Sequence, residues 1–257
     1  MRYAKGTLDI SSTRDVPLLL QVRNSKFIDH QQLWELMTLG NYEHSRESFA
    51  WRVKRLVDAG FLQRCEGAFG RGAVVYQIAR SGLYRLESEG HYAVTLNSST
   101  QRLPQTAQMH HALELNSIRI ALAKAHLLAS WQSDVETASI NSVSDSAACK
   151  DFDAIVDVWN GNQLARFGLE YERSLKSAKR YREIREVLER DAKTNCILYV
   201  TSGFDIAWHL ANELLGTSKR IAFVPITDFR QRLLDVEVIT KPGEPLVRFN
   251  GLLHGVI

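Results

Sequence analysis

The chain has 257 residues, of which 45% are hydrophobic and 24% charged, and its formal net charge is +3. This length and composition are those of a globular protein with one large domain or two small ones. An apolar run of roughly 18 residues is missing, which excludes a membrane-spanning helix, and the first residues lack the apolar stretch of a signal peptide. Cys65, Cys149 and Cys196 lie far apart without zinc-ligand spacing, which indicates reduced thiols and a cytoplasmic protein.

Positive charge is concentrated in two windows of the chain. Residues 44–85 contain eight basic and three acidic residues, and residues 173–193 contain eight basic and four acidic ones. Local basic patches favour nucleic-acid binding more than the total charge does. Ordinary solvated surface is the alternative interpretation of both windows.

The first three predicted elements are helices. Apolar residues at 16–24 and 29–37 predict two helices, and Asp29 is a good N-cap for the second. A longer helix is expected to begin after Ser45, its N-cap, and to end at Gly60. The spacing i, i+4, i+7, i+8 predicts the buried stripe of this helix, formed by Phe49, Val53, Leu56 and Val57.

A hairpin and a fourth helix complete this series. Two β-rich runs around a glycine-rich loop at residues 61–79 predict the hairpin, and residues 80–90 predict a short helix. The order helix, helix, longer helix, hairpin, helix closely resembles the winged helix-turn-helix family. We therefore expect residues 1–94 to form a winged-helix DNA-binding domain, whose third helix enters the major groove.

Polar and aromatic residues of the third helix are the candidate DNA contacts. Trp51 and Arg55 lie roughly opposite the buried stripe, so both are expected to be exposed. Arg71 stands between two glycines at the predicted wing tip, where it suits a phosphate or minor-groove contact. The remaining candidates lie at or near the N-terminal end of the helix: His44, Ser45, Arg46, Ser48 and Arg52. A winged helix used only for protein–protein contact is the alternative.

The second half of the chain predicts a mixed α/β domain. Residues 95–108 have the composition of a linker, so the second domain is expected at residues 109–257. Its predicted elements alternate in the order α-β-β-β-α-β-α-β. They are a long helix from Met109 to Trp131, a strand at 134–143, two strands around the turn at Asn160 and Gly161, a basic helix at 176–192, an apolar strand at 195–202, a helix at 206–216 and a strand at 220–226.

This order resembles the PD-(D/E)XK nuclease-like fold. In that resemblance Asp153 is the first acid, Glu170 the second, and Glu172 occupies the position usually held by lysine, for which Lys176 could substitute. Side chains alternate along a strand, so Glu170 and Glu172 share one face, which Asp153 on the neighbouring strand can approach. Asp153 and Glu170 are the candidate ligands of a Mg²⁺ ion, because this metal prefers oxygen ligands.

The whole arrangement resembles the replication-relaxation family of plasmid and other mobile-element proteins. The winged-helix core at residues 45–86, the pattern H-x-L-x-x-N-x-x-R from His111 to Arg119, and the strands of Asp153 and Glu170 carry this resemblance. It implies double-stranded DNA binding near an origin of transfer or at a promoter, with a relaxase or another mobile-element protein as a possible partner.

Three functions follow from these patterns. The favoured one is a cofactor-independent DNA-binding protein, a homodimer acting as a mobilisation or replication accessory factor or as a transcriptional regulator. In it Lys179 and Arg182 of the basic helix add phosphate contacts. The alternative is a Mg²⁺-dependent DNA endonuclease targeted by the winged helix; the glutamate in the lysine position favours binding over catalysis. The third is a protein-interaction module without nucleic acid.

Overall fold

A computed structural model describes residues 9–65, 74–93, 105–143, 150–191 and 194–253. The chain is mixed α/β and divides into two compact units, Met1–Ile120 and Ala121–Ile257. The division falls inside a helix at Gln105–Lys124. The prediction of a linker at 95–108 is therefore wrong for residues 105–108, which are helical, while residues 95–104 lie outside the described residues.

The first unit contains a small antiparallel sheet surrounded by helices. The sheet order is β1-β3-β2. The elements are α1 (Asp15–Ser25), β1 (Ile28–Asp29), α2 (His30–Leu39), α3 (Arg46–Asp58), β2 (Leu62–Cys65), β3 (Val75–Ile78), α4 (Arg80–Ser88) and most of α5 (Gln105–Lys124). The predicted hairpin is the β2–β3 pair, and its loop at 66–73 lies outside the described residues.

Local capping explains where α2 and α3 begin. The carboxylate of Asp29 accepts a hydrogen bond from the Gln32 backbone at 2.7 Å, and the Ser45 hydroxyl accepts one from the Ser48 backbone at 3.3 Å. Both residues satisfy a backbone N–H that the helix leaves unpaired, so both predicted caps are confirmed. The predicted stripe of α3 is confirmed too, since Phe49, Val53 and Leu56 are buried and Val57 packs against the same core.

A close backbone approach fixes α4 against the hairpin. A Cβ atom added at Gly82 would lie 2.4 Å from the carbonyl oxygen of Phe61 and 2.6 Å from a methyl of Ile78. The same carbonyl accepts a hydrogen bond from the Ala79 backbone at 3.0 Å. Only glycine permits this distance, so α4 and the chain between α3 and β2 keep one relative position.

The second unit is built on a five-stranded mixed sheet of order β4-β5-β6-β7-β8. Strands β4, β5 and β6 pair antiparallel, whereas β6, β7 and β8 pair parallel. Its elements are β4 (Leu128–Ser133), α6 (Asp134–Val143), β5 (Ala154–Asn160), β6 (Gln163–Glu172), α7 (Ala178–Arg190), β7 (Cys196–Thr201), α8 (Phe204–Glu213), β8 (Arg220–Pro225), α9 (Ile226–Arg232), a 3₁₀ turn at Leu233–Asp235, β9 (Glu237–Val238), β10 (Val247–Arg248) and α10 (Phe249–Leu252).

Two predicted elements at the start of this unit are wrong. The expected strand at 134–143 is helix α6, and the helix expected to reach Trp131 ends at Lys124, so that β4 follows it. A capping box explains α6: the Ser133 backbone N–H donates to Glu136 at 2.9 Å, and the Glu136 N–H donates to the Ser133 hydroxyl at 3.4 Å. His126, with a φ of 57°, separates α5 from β4.

One face of the sheet carries both an apolar core and the candidate site. Helices α7 and α8 cover this face, and their apolar residues pack with those of the strands. Gly168 on β6 leaves room for the ring of Phe152, because a Cβ atom at Gly168 would lie 2.8 Å from that ring. Phe152 is fully buried and directly precedes Asp153 in the chain. This packing fixes the segment that carries the first predicted acid.

Candidate functional site

The outward side of α3 is the first candidate surface. His44, Ser45 and Arg46 at its N-terminal end are exposed, and Ser48 is half-buried and accepts a hydrogen bond from Arg14 at 3.2 Å. Trp51 is 56% exposed, which confirms its predicted exposure. A single exposed apolar side chain is common on protein surfaces, so the indole shows only that this side of α3 is accessible.

Arg52 and Arg55 do not lie on this surface. Arg52 is buried, and its guanidinium donates to Asp15 at 2.8 Å and to Glu43 at 2.5 Å. Arg55 pairs with the other carboxylate oxygen of Asp15 and is only 14% exposed, so its predicted exposure is wrong. Helical spacing places Arg55 at the edge of the buried stripe, and the acid that turns it inward comes from α1, 40 residues earlier. These two arginines hold α3 against α1 instead of facing outward.

Asp15 and Glu43, the two acids of this ion-pair cluster, are each paired with two arginines. Burial by itself raises the pKa of Asp15, but hydrogen bonds from Arg52, the Ser11 backbone and Arg55 outweigh it, and the pKa is lowered below 3.8. Glu43 is also fully buried and accepts a second guanidinium, that of Arg14, at 2.7 Å. Buried carboxylates paired in this way are costly to leave without their cations.

Two arginine–tryptophan contacts involve residues of α3. The guanidinium of Arg46 lies 5.3 Å from the ring centroid of Trp34 and donates to the Gln31 side chain at 3.2 Å. The guanidinium of Arg55 lies 5.1 Å from the ring centroid of Trp51. These cation–π distances orient the aromatic rings. Arg71, the predicted wing-tip contact, lies outside the described residues.

The second candidate site is the carboxylate corner, which we define as Asp153, Glu170 and Glu172. Glu170 and Glu172 lie two residues apart at the carboxyl end of β6, and so share a face of the sheet. Asp153 accepts a hydrogen bond from the backbone N–H of Tyr171 at 2.8 Å, which brings it against β6 between the two glutamates. The structure therefore brings the three predicted acids together.

Two lysines pair with the carboxylate corner. Lys176 forms an ion pair with Glu172, and Lys150 forms one with Glu170. Lys150 is largely buried and lies 4.4 Å from the ring centroid of Phe152. Burial, followed by the charge of Lys176, lowers the pKa of Lys150 to about 8, although the acids Asp153, Asp151 and Asp191 raise it.

Sequence reasoning missed Lys150, and a signal for it existed. The residue stands three positions before Asp153 in the segment KDFD, which leads into β5. A lysine there can reach the same sheet end as the carboxylates, while Lys176 reaches it from the other side. Lys176 is thus the ion-pair partner of Glu172, the residue that occupies the predicted lysine position.

Tyr199 adds a buried hydroxyl to this corner. It lies on β7 opposite Glu170, and its hydroxyl has no hydrogen-bond partner among the described residues. Burial first, and then the charges of Glu172 and Asp153, raise its pKa well above the usual range. A buried phenol without a partner is a place where a water or a ligand atom would be stabilised.

In this arrangement two carboxylates of the carboxylate corner are already paired with lysines. Among the described residues, no group of three or more His, Cys, Asp or Glu side chains is placed to hold a metal. Two ammonium groups already neutralise Glu170 and Glu172, so a metal ion would have to displace Lys150 from a buried ion pair. The hydroxyl of Tyr199 is neutral, so it adds no charge for a cation.

Comparison with protein-family models, curated proteins and solved structures gives no match.

The basic helix α7 presents a third set of charges. Lys179 and Arg182, the two predicted phosphate contacts, are both exposed. Arg180 pairs with Glu183 at 2.9 Å, so part of the helix charge is neutralised within α7. Within the described parts of the chain, no helix is long and apolar enough to cross a lipid bilayer.

Proposed function

We propose that this chain binds double-stranded DNA through α3, in the manner of a winged helix-turn-helix protein, and serves a plasmid or another mobile element as an accessory factor or regulator. The observation that carries this proposal is the accessible outward side of α3, which begins at a capped N-terminus and carries the exposed Trp51. A helix of this kind fits the major groove and reaches base edges there.

Three further observations support the proposal. The β2–β3 hairpin follows α3 directly, as a wing does, and Arg64 on β2 and Arg80 at the start of α4 are exposed cations close to it in sequence. Buried ion pairs from Arg52 and Arg55 fix α3 rigidly to α1. A rigid scaffold holds recognition groups in register with the duplex.

Duplex binding measured as a function of salt tests the proposal. We expect affinity for a mixed-sequence duplex that falls steeply with salt, because phosphate neutralisation releases counterions. The double variant Arg46→Ala/Lys54→Ala should bind more weakly. The matched control is Arg232→Ala/Lys241→Ala, which removes an arginine and a lysine that are exposed and ion-paired in the second unit. Equal loss in both variants, or no shift of any duplex at low salt, contradicts the proposal and favours a protein-interaction module.

A Mg²⁺-dependent endonuclease is the second candidate, and the shared face of Asp153, Glu170 and Glu172 favours it. The ion pairs of Lys150 and Lys176 count against it, so we expect no nicking of supercoiled plasmid in Mg²⁺ or Mn²⁺. Cleavage that disappears with EDTA and with Glu170→Gln would make the carboxylate corner an active site. A homodimer, a relaxase partner and a cytoplasmic location stay predictions.

A further inference from the structure

A cluster of basic side chains lies where α2, α3 and the small sheet of the first unit meet. Arg64 on β2 pairs in register with Tyr76 on β3, so both side chains stand on one face of the sheet. The Tyr76 hydroxyl lies 3.1 Å from Nδ1 of His30, the first residue of α2. The sheet therefore places Arg64 on the same side as His30.

Arg46 approaches the same histidine from α3. Its guanidinium donates a hydrogen bond to the side chain of Gln31, the residue after His30, at 3.2 Å. Phe49, one turn further along α3, has its ring centroid 5.0 Å from that of His30. Arg46 and Arg64 thus approach one half-buried imidazole from different elements, and both arginines are exposed.

The two arginines of this cluster are not ion-paired within the part of the chain that the structure describes. By contrast, Arg52 and Arg55 of α3 are both paired with Asp15. An arginine has five N–H donors, of which the contact with Gln31 occupies one on Arg46. The donors that remain on the two guanidiniums of the cluster can bind an anion.

The cluster also affects the charge of His30. Burial, together with the charges of Arg46 and Arg64, lowers the pKa of His30 below 6.5, although the charge of Asp29 raises it. The Asp29 carboxylate is engaged as the cap of α2. An anion held by the two guanidiniums would favour the charged imidazole, which could then donate from Nε2, because the Tyr76 contact uses Nδ1.

We propose that His30, Arg46 and Arg64 bind one phosphate group of a nucleic-acid backbone. Planar guanidiniums suit the geometry of phosphate oxygens, and the N-terminal end of α2 adds its favourable dipole. The site lies beside the N-terminal end of α3, where the sugar–phosphate strand passes when such a helix enters the major groove. The inference rests on the proposed DNA binding and assigns a phosphate contact to it.

Duplex binding by the full chain tests the site. Arg64→Gln should weaken binding of a mixed-sequence duplex about tenfold and reduce the slope of log affinity against log salt by about one, because one phosphate contact is lost. Arg232→Gln removes an exposed arginine of the second unit and is the matched control, which should change neither quantity. Circular dichroism should show that both variants are folded.

The titration of the His30 imidazole separates this site from other DNA contacts. It is followed by NMR, and the spectrum of His30→Gln identifies the signal. The duplex should raise the measured pKa of His30 in the wild type but not in Arg46→Gln/Arg64→Gln. Inorganic phosphate at the same ionic strength tests a free phosphate as the ligand.

Two results would overturn the backbone site while leaving DNA binding intact. One is a rise in the pKa of His30 with inorganic phosphate but not with the bound duplex. The other is an Arg64→Gln protein that keeps the full duplex affinity and salt slope of the wild type. Retention of no duplex at low salt overturns both the phosphate site and the proposed DNA binding.

Discussion

The guanidinium of Arg52 lies 2.8 Å from the carboxylate of Asp15, which is 37 residues earlier in the chain. Both side chains are buried, and the same guanidinium also contacts the buried Glu43. One side chain of α3 thus joins two carboxylates from different parts of the first unit. Its importance is structural, and it determines where the outward side of α3 points.

Replacing Arg52 should strongly destabilise the first unit. Arg52→Met keeps much of the side-chain volume but leaves Asp15 and Glu43 buried without their shared cation, so we expect a loss of about 3–5 kcal/mol in the free energy of unfolding. Lys54→Met removes an exposed ion pair with Asp58 and should change it by less than about 1 kcal/mol. Urea unfolding of the three proteins measures the difference. Similar stability of the two variants would show that the buried cluster is not stabilising.

Acid should remove the contribution of Asp15. Its pKa in the folded chain is lowered from 3.8, so the carboxylate stabilises the fold above 3.8, and this stabilisation is lost as the pH falls through the lower folded value. Asp15→Asn should therefore be less stable than the wild type near neutral pH, with a constant difference there. The difference in melting temperature should shrink below pH 3.8. A gap that stays constant into this acidic range would contradict the lowered pKa.

The two lysines of the carboxylate corner should differ in their effect on stability. Lys150→Met leaves Glu170 in a largely buried place without its counter-ion, and we expect a loss of about 3 kcal/mol. Lys176→Met removes a cation that is 38% exposed, so solvent screening limits the loss to about 1 kcal/mol or less. Chemical unfolding followed by tyrosine and tryptophan fluorescence would measure both. The opposite ranking would show that Glu172, not Glu170, depends on its partner.

Gly82→Ala should weaken the junction between α4 and the hairpin. The new Cβ atom would meet the Phe61 carbonyl at 2.4 Å, and a backbone oxygen cannot move aside as the end of a side chain can. A loss of about 1–3 kcal/mol is expected, as for overpacking elsewhere. Gly251→Ala is the control, because nothing lies within 4 Å of a Cβ atom there. Thermal unfolding of the two variants compares them directly.

Patterns with a local cause were predictable from the sequence. The caps Asp29 and Ser45 and the buried stripe of α3 follow from hydrogen bonding and periodicity within a few residues. The partners of Arg52 and Arg55 did not follow, because Asp15 approaches α3 only after the chain has folded. Helical spacing shows which side of a helix is buried. It does not show which charged group from elsewhere in the chain will pair with a residue at the edge of that side.

The second unit shows the same limit. The acids Asp153, Glu170 and Glu172 could be placed together, since strand alternation and pairing bring them there. The closeness of Lys150 to Asp153 in sequence was a signal for it, but the ion pair with Glu170 depends on how the segment before β5 turns, and no periodic pattern describes that turn. The strand predicted at 134–143 failed for a different reason: the capping box of Ser133 and Glu136 was overlooked, although the sequence shows it.

Gly168 makes the carboxylate corner sensitive to substitution on its apolar side. The ring of Phe152 rests where a side chain at residue 168 would be, and Lys150 lies over the same ring. A single added methyl would displace the ring that Lys150 contacts and so disturb the ion pair without touching a charged residue. A smaller residue in place of Phe152 should suppress that defect, so these two positions are expected to tolerate change only as a pair.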